Sequence, residues 1–303
     1  MIYNLQVDSD ISLPELGLFN SKRAADIFIR QGVVVGPSPA DRGTLAEYIK
    51  GEHGRLWLNM PHAVRLEITD GRNITYERYL GTEDDEVRLF VLGSGLGAIM
   101  MQRGHILIHG NAIVTHEQAG VIICIGDSGA GKSTTSVAMI RRGLQVLTDD
   151  VCPITADGMV LPGMPRAKLW EDAARQLGID TRPLSRVRRA DAKFDVPLGS
   201  AHCATAQSVR AFYWLVPDDV EGVSVEHVRG FETFPVLRNN VYRPEYLRCL
   251  GLEEDYLRRL ATLGTRIPVF KVSRPKTGFH IDGVVDAILG NDEMHRSETS
   301  API

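Results

Sequence analysis

The sequence predicts an α/β protein with a glycine-rich loop at its centre, preceded by a small strand-rich α+β domain. Three observations predict this fold. The apolar run Val121–Ile125 has the length of a short buried strand. A glycine-rich segment and a helical run follow it, and a second strand is predicted at Leu144–Thr148. In the first 80 or so residues, short apolar stretches alternate with turn signals.

Composition indicates a globular chain with a full core. The chain has 303 residues, 44% of them hydrophobic, and a formal net charge of −4, which argues against a nucleic-acid partner. No apolar stretch approaches the ~18 residues of a membrane span, and the N-terminus lacks the pattern of a signal peptide. The four cysteines are widely separated and form no C-x-x-C pair. We therefore predict a cytoplasmic protein with neither a membrane nor a nucleic acid as partner.

We divide the chain into a small N-terminal α+β domain over residues 1–82, a main domain over 83–290 and a disordered tail over 291–303. In the first domain, residues 2–7 are predicted as a strand and residues 21–30 as a short helix. Asp70-Gly71 is the expected tight turn of a hairpin. A capping-box sequence at Thr82–Asp85 predicts a helix that runs to Gln102. Its glycines indicate close packing, because no strand precedes them as a dinucleotide site would require.

The segment Gly126–Ser133, GDSGAGKS, matches the P-loop pattern G-x-x-x-x-G-K-[ST]. Its glycines permit positive φ, so that backbone N–H groups converge on an anion at the start of a helix. Lys132 then places a cation on the β- and γ-phosphates, and Ser133 offers a hydroxyl to Mg²⁺. The absence of an N-K-x-D guanine motif favours ATP. The predicted nucleotide-binding residues are Gly126, Asp127, Ser128, Gly129, Ala130, Gly131, Lys132, Ser133 and Thr134.

Asp149-Asp150 ends the second strand. A carboxylate beside a P-loop holds Mg²⁺, directly or through water. Neighbouring strand residues point to opposite faces, but a bend at the strand end turns both carboxylates toward one site. One then binds metal while the other accepts a proton from an attacking hydroxyl. We predict Asp149 as the base and Asp150 with Ser133 as metal ligands; the reverse assignment of the two aspartates, and a turn cap at Asp150, remain alternatives.

Phosphoryl transfer requires a second cation, because negative charge spreads over the equatorial oxygens of the transferred phosphoryl group. We look for this cation downstream of the aspartates. The candidates are Arg166, Lys168, Lys193, Arg238 and Arg243. We prefer Arg166 and Lys193 as phosphate or substrate ligands, since each lies in an apolar or Pro/Gly-bounded segment. The remaining elements are predicted as a hairpin around Asp157-Gly158, strands at 209–216 and 269–272, and helices at 171–177, 233–237, 246–263 and 283–289.

A family resemblance joins these motifs. His109-Gly110, GDSGAGKS and RRGLQVLTDD together resemble the HPr serine kinase/phosphorylase family over residues 104–156. That resemblance implies a P-loop kinase core with a mixed sheet, related to phosphoenolpyruvate carboxykinase. It also implies that Asp149 acts as general base, that Asp150 belongs to the metal-phosphate site, and that His109 tunes the base. A homo-oligomer is implied as well.

The chain departs from the family after the aspartates. PGMPRAKLW, at 162–170, stands where the bacterial HPr kinases carry L-E-x-R-G. GMPRAKLW and the later NNVYRPEYL look like diverged HPr-kinase-like proteins of bacterial biosynthetic clusters. Some of those phosphorylate a serine of a ribosomally made precursor peptide, including lasso-peptide precursors. The resemblance therefore implies a peptide or small-protein acceptor that bears a serine.

The catalytic residues predicted for this reaction are Asp149, His109, Lys132 and Asp150. The leading hypothesis is an ATP- and Mg²⁺-dependent serine kinase. Two alternatives remain: a nucleotide-binding sensor or assembly factor without phosphotransfer, and a metabolite kinase or carboxykinase-like enzyme. The kinase predicts a phosphorylated product, whereas the sensor predicts bound nucleotide without one.

Overall fold

A computed structural model describes residues 1–16, 23–37, 48–115, 120–187 and 192–299. The chain divides into two compact units. The first comprises residues 1–107 and 242–259, and the second comprises 108–241 and 260–303. This division differs from the predicted boundary at residue 82, because the helical segment that follows residue 82 belongs to the first unit.

The helices and strands follow the chain in this order. The strands of its first half are β1 (Val7–Ser9), β2 (Ile27–Gln31), β3 (Tyr48–Glu52), β4 (Arg55–Met60), β5 (Val64–Thr69), β6 (Asn73–Arg78), β7 (Ile106–Val114), β8 (Val121–Ile125), β9 (Gln145–Thr148) and β10 (Val151–Ile154). Those that follow are β11 (Met159–Val160), β12 (Arg166–Trp170), β13 (Lys193–Pro197), β14 (Gln207–Asp218), β15 (Ser224–Val228) and β16 (Val269–Pro275). The helices are α1 (Asp84–Phe90), α2 (Leu96–Gln102), α3 (Lys132–Arg141), α4 (Glu171–Gln176), α5 (Thr233–Asn239), α6 (Pro244–Leu250), α7 (Glu253–Arg266) and α8 (Ile281–Thr299).

The first unit is built on a six-stranded sheet in the order β1-β2-β6-β5-β4-β3. The predicted hairpin is β5–β6, and Asp70 and Gly71 at its turn both have positive φ, as a tight turn of this kind requires. The predicted strand at 2–7 is wrong, because β1 begins at Val7. The predicted helix at 21–30 lies partly outside the described residues, and its described end forms strand β2, whose Ile27 and Ile29 are fully buried.

The helix predicted from Thr82 to Gln102 forms with an irregularity. A π-type turn at Val91–Gly95 separates α1 from α2, at the glycines that weaken helical hydrogen bonding. Thr82 does not cap α1; its Oγ1 donates to the carbonyl of Ala63 over 2.8 Å instead. Close packing at the glycines is confirmed at Gly97, where a Cβ atom would lie 2.7 Å from Tyr242 Cε1.

The second unit has a mixed sheet in the order β11-β10-β7-β8-β14-β16-β15, with β9 paired to β7. β8 is parallel to β14 and antiparallel to β7, so the predicted α/β class with a mixed sheet is confirmed. All five residues of β8 are buried, as expected for a central strand covered on both faces. Strands β12 and β13 form a separate antiparallel ribbon.

Near the C-terminus, two segments of the structure differ from the prediction. The helix predicted at 246–263 is divided into α6 and α7 at Gly251, whose φ is 68°. The chain predicted as a tail from residue 291 continues α8 to Thr299. Asp292 gives the reason, because it is buried and accepts hydrogen bonds from Thr115 Oγ1 and Arg210 Nη2. Within the described residues, no helix combines the length and apolar character needed to cross a membrane.

Candidate phosphate-binding and catalytic site

The glycine-rich loop joins β8 to α3 in the predicted strand–loop–helix order. Gly126, Gly129 and Gly131 have φ values of 142°, 83° and 106°, which residues other than glycine rarely adopt. A Cβ atom on Gly126 would also lie 2.6 Å from the carbonyl oxygen of Leu215 in β14. The loop therefore requires glycine at its first position, both for its backbone angle and for the approach of the neighbouring strand.

Lys132 is the first residue of α3, and its side chain turns back into the loop. Its Nζ donates to the carbonyl oxygens of Gly126 and Asp127, at 2.6 and 3.2 Å. Only 8% of Lys132 is exposed, and burial lowers the pKa of its ammonium, while the charge of Asp150 opposes that change. The loop thus holds a buried cation on backbone carbonyls.

Asn240, just after α5, fixes the start of the loop. Its Oδ1 accepts a hydrogen bond from Gly126 N over 2.8 Å, and its backbone oxygen accepts one from His109 N over 2.7 Å. Its Nδ2 in turn donates to the carbonyl of Val236. One buried amide residue therefore sets both the loop and the strand that carries His109.

The paired aspartates are turned toward one site by a bend in the backbone. Asp150 has a φ of 75°, so the chain leaves extended geometry directly after β9. Asp149 Oδ2 accepts from the backbone N–H of Lys168 over 2.7 Å, while Asp150 Oδ2 accepts from Lys168 Nζ over 2.8 Å. A single residue of β12 therefore binds both carboxylates.

The remaining contacts of the aspartates come from β7. Asn111 Nδ2 donates to Asp149 Oδ1 over 2.6 Å. His109 Nδ1 donates to the backbone oxygen of Asp150 over 2.9 Å and lies 3.5 Å from Asp150 Oδ1. The bond to a carbonyl requires the proton on Nδ1, which sets the tautomer of the neutral ring. Burial lowers the pKa of His109, and the charge of Asp150 only partly opposes it.

The two aspartates have opposite pKa shifts. Burial, followed by the negative charge of Asp150, raises the pKa of Asp149 from 3.8 to about 6. Burial also opposes ionisation of Asp150, but the charge and hydrogen bond of Lys168 oppose that effect, and the pKa of that carboxyl is lowered. The environment of Asp150 thus favours its ionised form, whereas Asp149 can exchange a proton near pH 6.

A cavity of about 580 Å³ lies against the loop. Its walls include the predicted residues His109, Asp150 and Lys193, together with Ser128, Gly129 and the segment 131–134. Gly126, Asp127 and Ala130 shape the loop without lining the cavity. Asp149 lies next to the wall through its bond to Asn111, which is itself part of the lining.

The two preferred cations lie in different places. Lys193 lines the cavity, and its Nζ lies 5.6 Å from the centre of the Trp170 ring, its cross-strand neighbour in the β12–β13 ribbon. Arg166 instead forms an ion pair with Asp195 at 2.7 Å and is not part of the lining. Its placement therefore gives no support to the predicted phosphate contact, and Lys168 is the β12 cation that contacts the aspartates.

Several residues of the site were missed in the sequence. Asn111 and Asn240 carry no motif signal, and Lys168 was a candidate that we ranked below Arg166. Arg274, at the end of β16, donates from Nε and Nη2 to the carbonyl of Ala130, both at 3.2 Å. Its pKa is lowered by burial. The sequence offered one signal for Lys168. Side chains alternate between the two faces of a strand, so a strand at 166–170 places residues 166, 168 and 170 on one face.

No family model matches this chain, and no curated protein matches it either. Among solved structures, the chain is similar to the Hpr(Ser) kinase/phosphatase from Coxiella burnetii. That match covers 63% of this chain and 98% of the other, with 15% sequence identity and a TM-score of 0.28. At this TM-score the likeness does not define the fold.

Proposed function

We propose that this protein is an ATP- and Mg²⁺-dependent kinase that transfers the γ-phosphate to a serine hydroxyl of a peptide or small protein. The observation that carries the proposal is the pair Asp149–Asp150, two adjacent carboxylates with opposite pKa shifts beside a glycine-rich loop with a buried lysine. Two carboxyl groups whose environments separate their pKa values are suited to different tasks in one reaction.

The loop supplies the phosphate site in this proposal. Backbone N–H groups of the loop residues that line the cavity, Ser128, Gly129 and 131–134, bind the phosphate chain, and Lys132 binds the β- and γ-phosphates. Lys193 adds a second positive charge at the same cavity. Both cations stabilise the negative charge that spreads over the transferred phosphoryl group.

Asp149 is the proton acceptor. As the serine oxygen bonds to the γ-phosphorus, the bond from that phosphorus to the β,γ-bridging oxygen breaks, and the hydroxyl proton passes to Asp149. A pKa of about 6 suits a base that must be ionised at neutral pH and still bind a proton during transfer. His109 and Asn111 orient the two aspartates from β7.

The residues present fit a magnesium site. The described residues hold no cluster of three or more His, Cys, Asp or Glu side chains arranged for a metal. Mg²⁺ in kinases needs no such cluster, since it binds one or two carboxylates together with substrate phosphates and water. Asp150, kept ionised, and Ser133 at the same cavity would hold it. When bound, the ion neutralises phosphate charge.

A narrower acceptor follows from the sequence resemblance. GMPRAKLW, at 163–170, contains Lys168, which contacts both aspartates, and Trp170, which lines the cavity. We propose on this basis a ribosomally made precursor peptide of lasso type, phosphorylated on serine by a cytoplasmic, homo-oligomeric enzyme. The sensor and metabolite-kinase alternatives make different predictions for the same experiment.

The test is incubation of the protein with ATP, Mg²⁺ and candidate peptides, each paired with a version in which serine is replaced by alanine. We expect one added phosphate, detected by mass spectrometry, on the serine peptide only. Asp149→Asn should lower transfer by about 10²- to 10⁴-fold and retain ATP binding. Phosphate on the alanine peptide contradicts the serine assignment. Bound ATP without any product supports the sensor, and phosphorylated small molecules support the metabolite kinase.

A further inference from the structure

Trp170 is the last residue of β12, and its large ring is exposed at the cavity. It is 45% exposed, although burying the apolar area of a tryptophan side chain stabilises a folded protein. Among the described residues, it is the only aromatic residue in the cavity wall. An exposed ring inside a polar cavity is a surface suited to a planar ligand.

The position of the ring relative to the aspartates follows from the strand. Lys168 and Trp170 lie on the same face of β12, about 7 Å apart along an extended chain. Lys168 Nζ binds Asp150 at the proposed reaction centre, and Trp170 follows Lys168 by two residues along β12. The ring therefore lies beside the reaction centre, toward the end of the strand. Lys193 Nζ lies over the indole at 5.6 Å from the ring centre, and Trp170 still keeps 45% of its surface exposed in the cavity wall.

We propose that Trp170 stacks on the base of the nucleotide, which makes this end of the cavity an adenine subsite. The inference rests on the proposed phosphate site. Lys132 and Asp150 fix the γ-phosphate end, so the α-phosphate and the nucleoside lie toward Thr134 and the β12–α4 junction. Base–aromatic stacking is a strong and general contact in nucleotide recognition.

Two carboxylates lie next to the ring. Glu171 and Asp172 follow Trp170 directly and line the same cavity. Carboxylate oxygens accept hydrogen bonds, so the exocyclic amine of adenine can donate to them. Stacking on Trp170 by itself does not distinguish adenine from guanine, because both purines present an aromatic face.

The experiment compares MgATP with magnesium tripolyphosphate, which has the same phosphate chain and no nucleoside. Both are titrated calorimetrically into the full-length protein. We expect wild type to bind ATP about tenfold more tightly. Trp170→Ala should abolish that preference without changing tripolyphosphate affinity, and Trp170→Phe should keep most of it.

Phe279 provides a matched control. It is 43% exposed, lies a few residues beyond Arg274 and is not part of the cavity wall, so Phe279→Ala should keep the ATP preference. The adenine subsite is overturned if Trp170→Ala keeps the preference, if Phe279→Ala loses it, or if wild type binds both ligands equally. In those cases the phosphate site stands. Failure of wild type to bind either ligand overturns both proposals. If Trp170→Ala leaves both affinities unchanged and raises KM for the peptide, the ring belongs to the acceptor.

Discussion

Asn111 Nδ2 lies 2.6 Å from Asp149 Oδ1 and 2.8 Å from Ser136 Oγ, so one buried amide joins the proposed base to the helix that follows the loop. Ser136 Oγ in turn donates to the backbone oxygen of Lys132 over 3.2 Å. The base and the phosphate-binding lysine are thus held by a continuous chain of hydrogen bonds.

Asn111→Leu tests whether that contact positions Asp149. It removes a hydrogen bond to a charged group, which contributes about 1.5–3 kcal/mol, so we expect kcat to fall roughly ten- to hundredfold. ATP affinity, measured by calorimetry, should not change. Ser136→Ala is the control, because it keeps the bond to Asp149 and should alter kcat by less than about threefold. Equal losses in the two variants would contradict a positioning role for Asn111.

The pH dependence of the reaction tests the raised pKa of Asp149. Below about pH 6 the carboxyl binds a proton and cannot act as a base, so kcat/KM should rise with pH through that value and level off above it. Asp150, whose pKa is lowered, stays ionised throughout. A profile that is flat from pH 5 to about pH 8 argues against Asp149 as the base.

Folding stability should show the same shift with a defined sign. A carboxyl whose pKa rises on folding binds its proton more tightly in the folded state. Its stabilising contribution is therefore lost as pH rises from 3.8 toward about 6. Urea unfolding of wild type and Asp149→Asn across this range measures the difference. We expect the free energy of unfolding of the variant, minus that of wild type, to increase with pH. A difference that does not change with pH means that burial has not raised this pKa.

Lys168 and Arg166 form a natural comparison on one face of β12. Each is ion-paired with an aspartate, and their side chains are 14% and 15% exposed. Lys168→Met and Arg166→Met should each cost about 3 kcal/mol in urea unfolding, since each leaves a largely buried carboxylate without its cation. Only Lys168→Met should also reduce phosphotransfer, because its carboxylate belongs to the site. Loss of transfer in Arg166→Met would return that residue to the phosphate site.

Alanine substitutions at Gly126 and Gly143 distinguish the effect of backbone strain from that of steric conflict. Both glycines have positive φ, but a Cβ atom meets Leu215 O at 2.6 Å in the first and nothing within 4 Å in the second. Gly143→Ala should cost about 1–2 kcal/mol and keep ATP binding. Gly126→Ala must displace the backbone of β14 or of the loop, so we expect ATP binding to be lost in calorimetry. Retained binding would show that the loop tolerates a different entry angle.

The elements around the loop were predictable because their signals are local. A five-residue apolar run, a glycine pattern and a helical run specify β8, the loop and α3 without reference to the rest of the chain. The ribbon of β12 and β13 was missed for the opposite reason. Each strand is short and mixed in polarity, and the pairing of Leu169 with Phe194 joins strands that lie before and after α4 in the sequence.

The sequence by itself determined the α/β class, the position of the glycine-rich loop and the adjacency of two aspartates. Tertiary structure decided which groups surround them. Asn111 reaches Asp149 across 38 positions of sequence, Asn240 reaches Gly126 across 114, and Arg274 reaches Ala130 across 144. Such contacts depend on strand order and register, which local patterns do not specify. The opposite pKa shifts of Asp149 and Asp150 have the same origin, because burial and the position of Lys168 exist only in the folded chain.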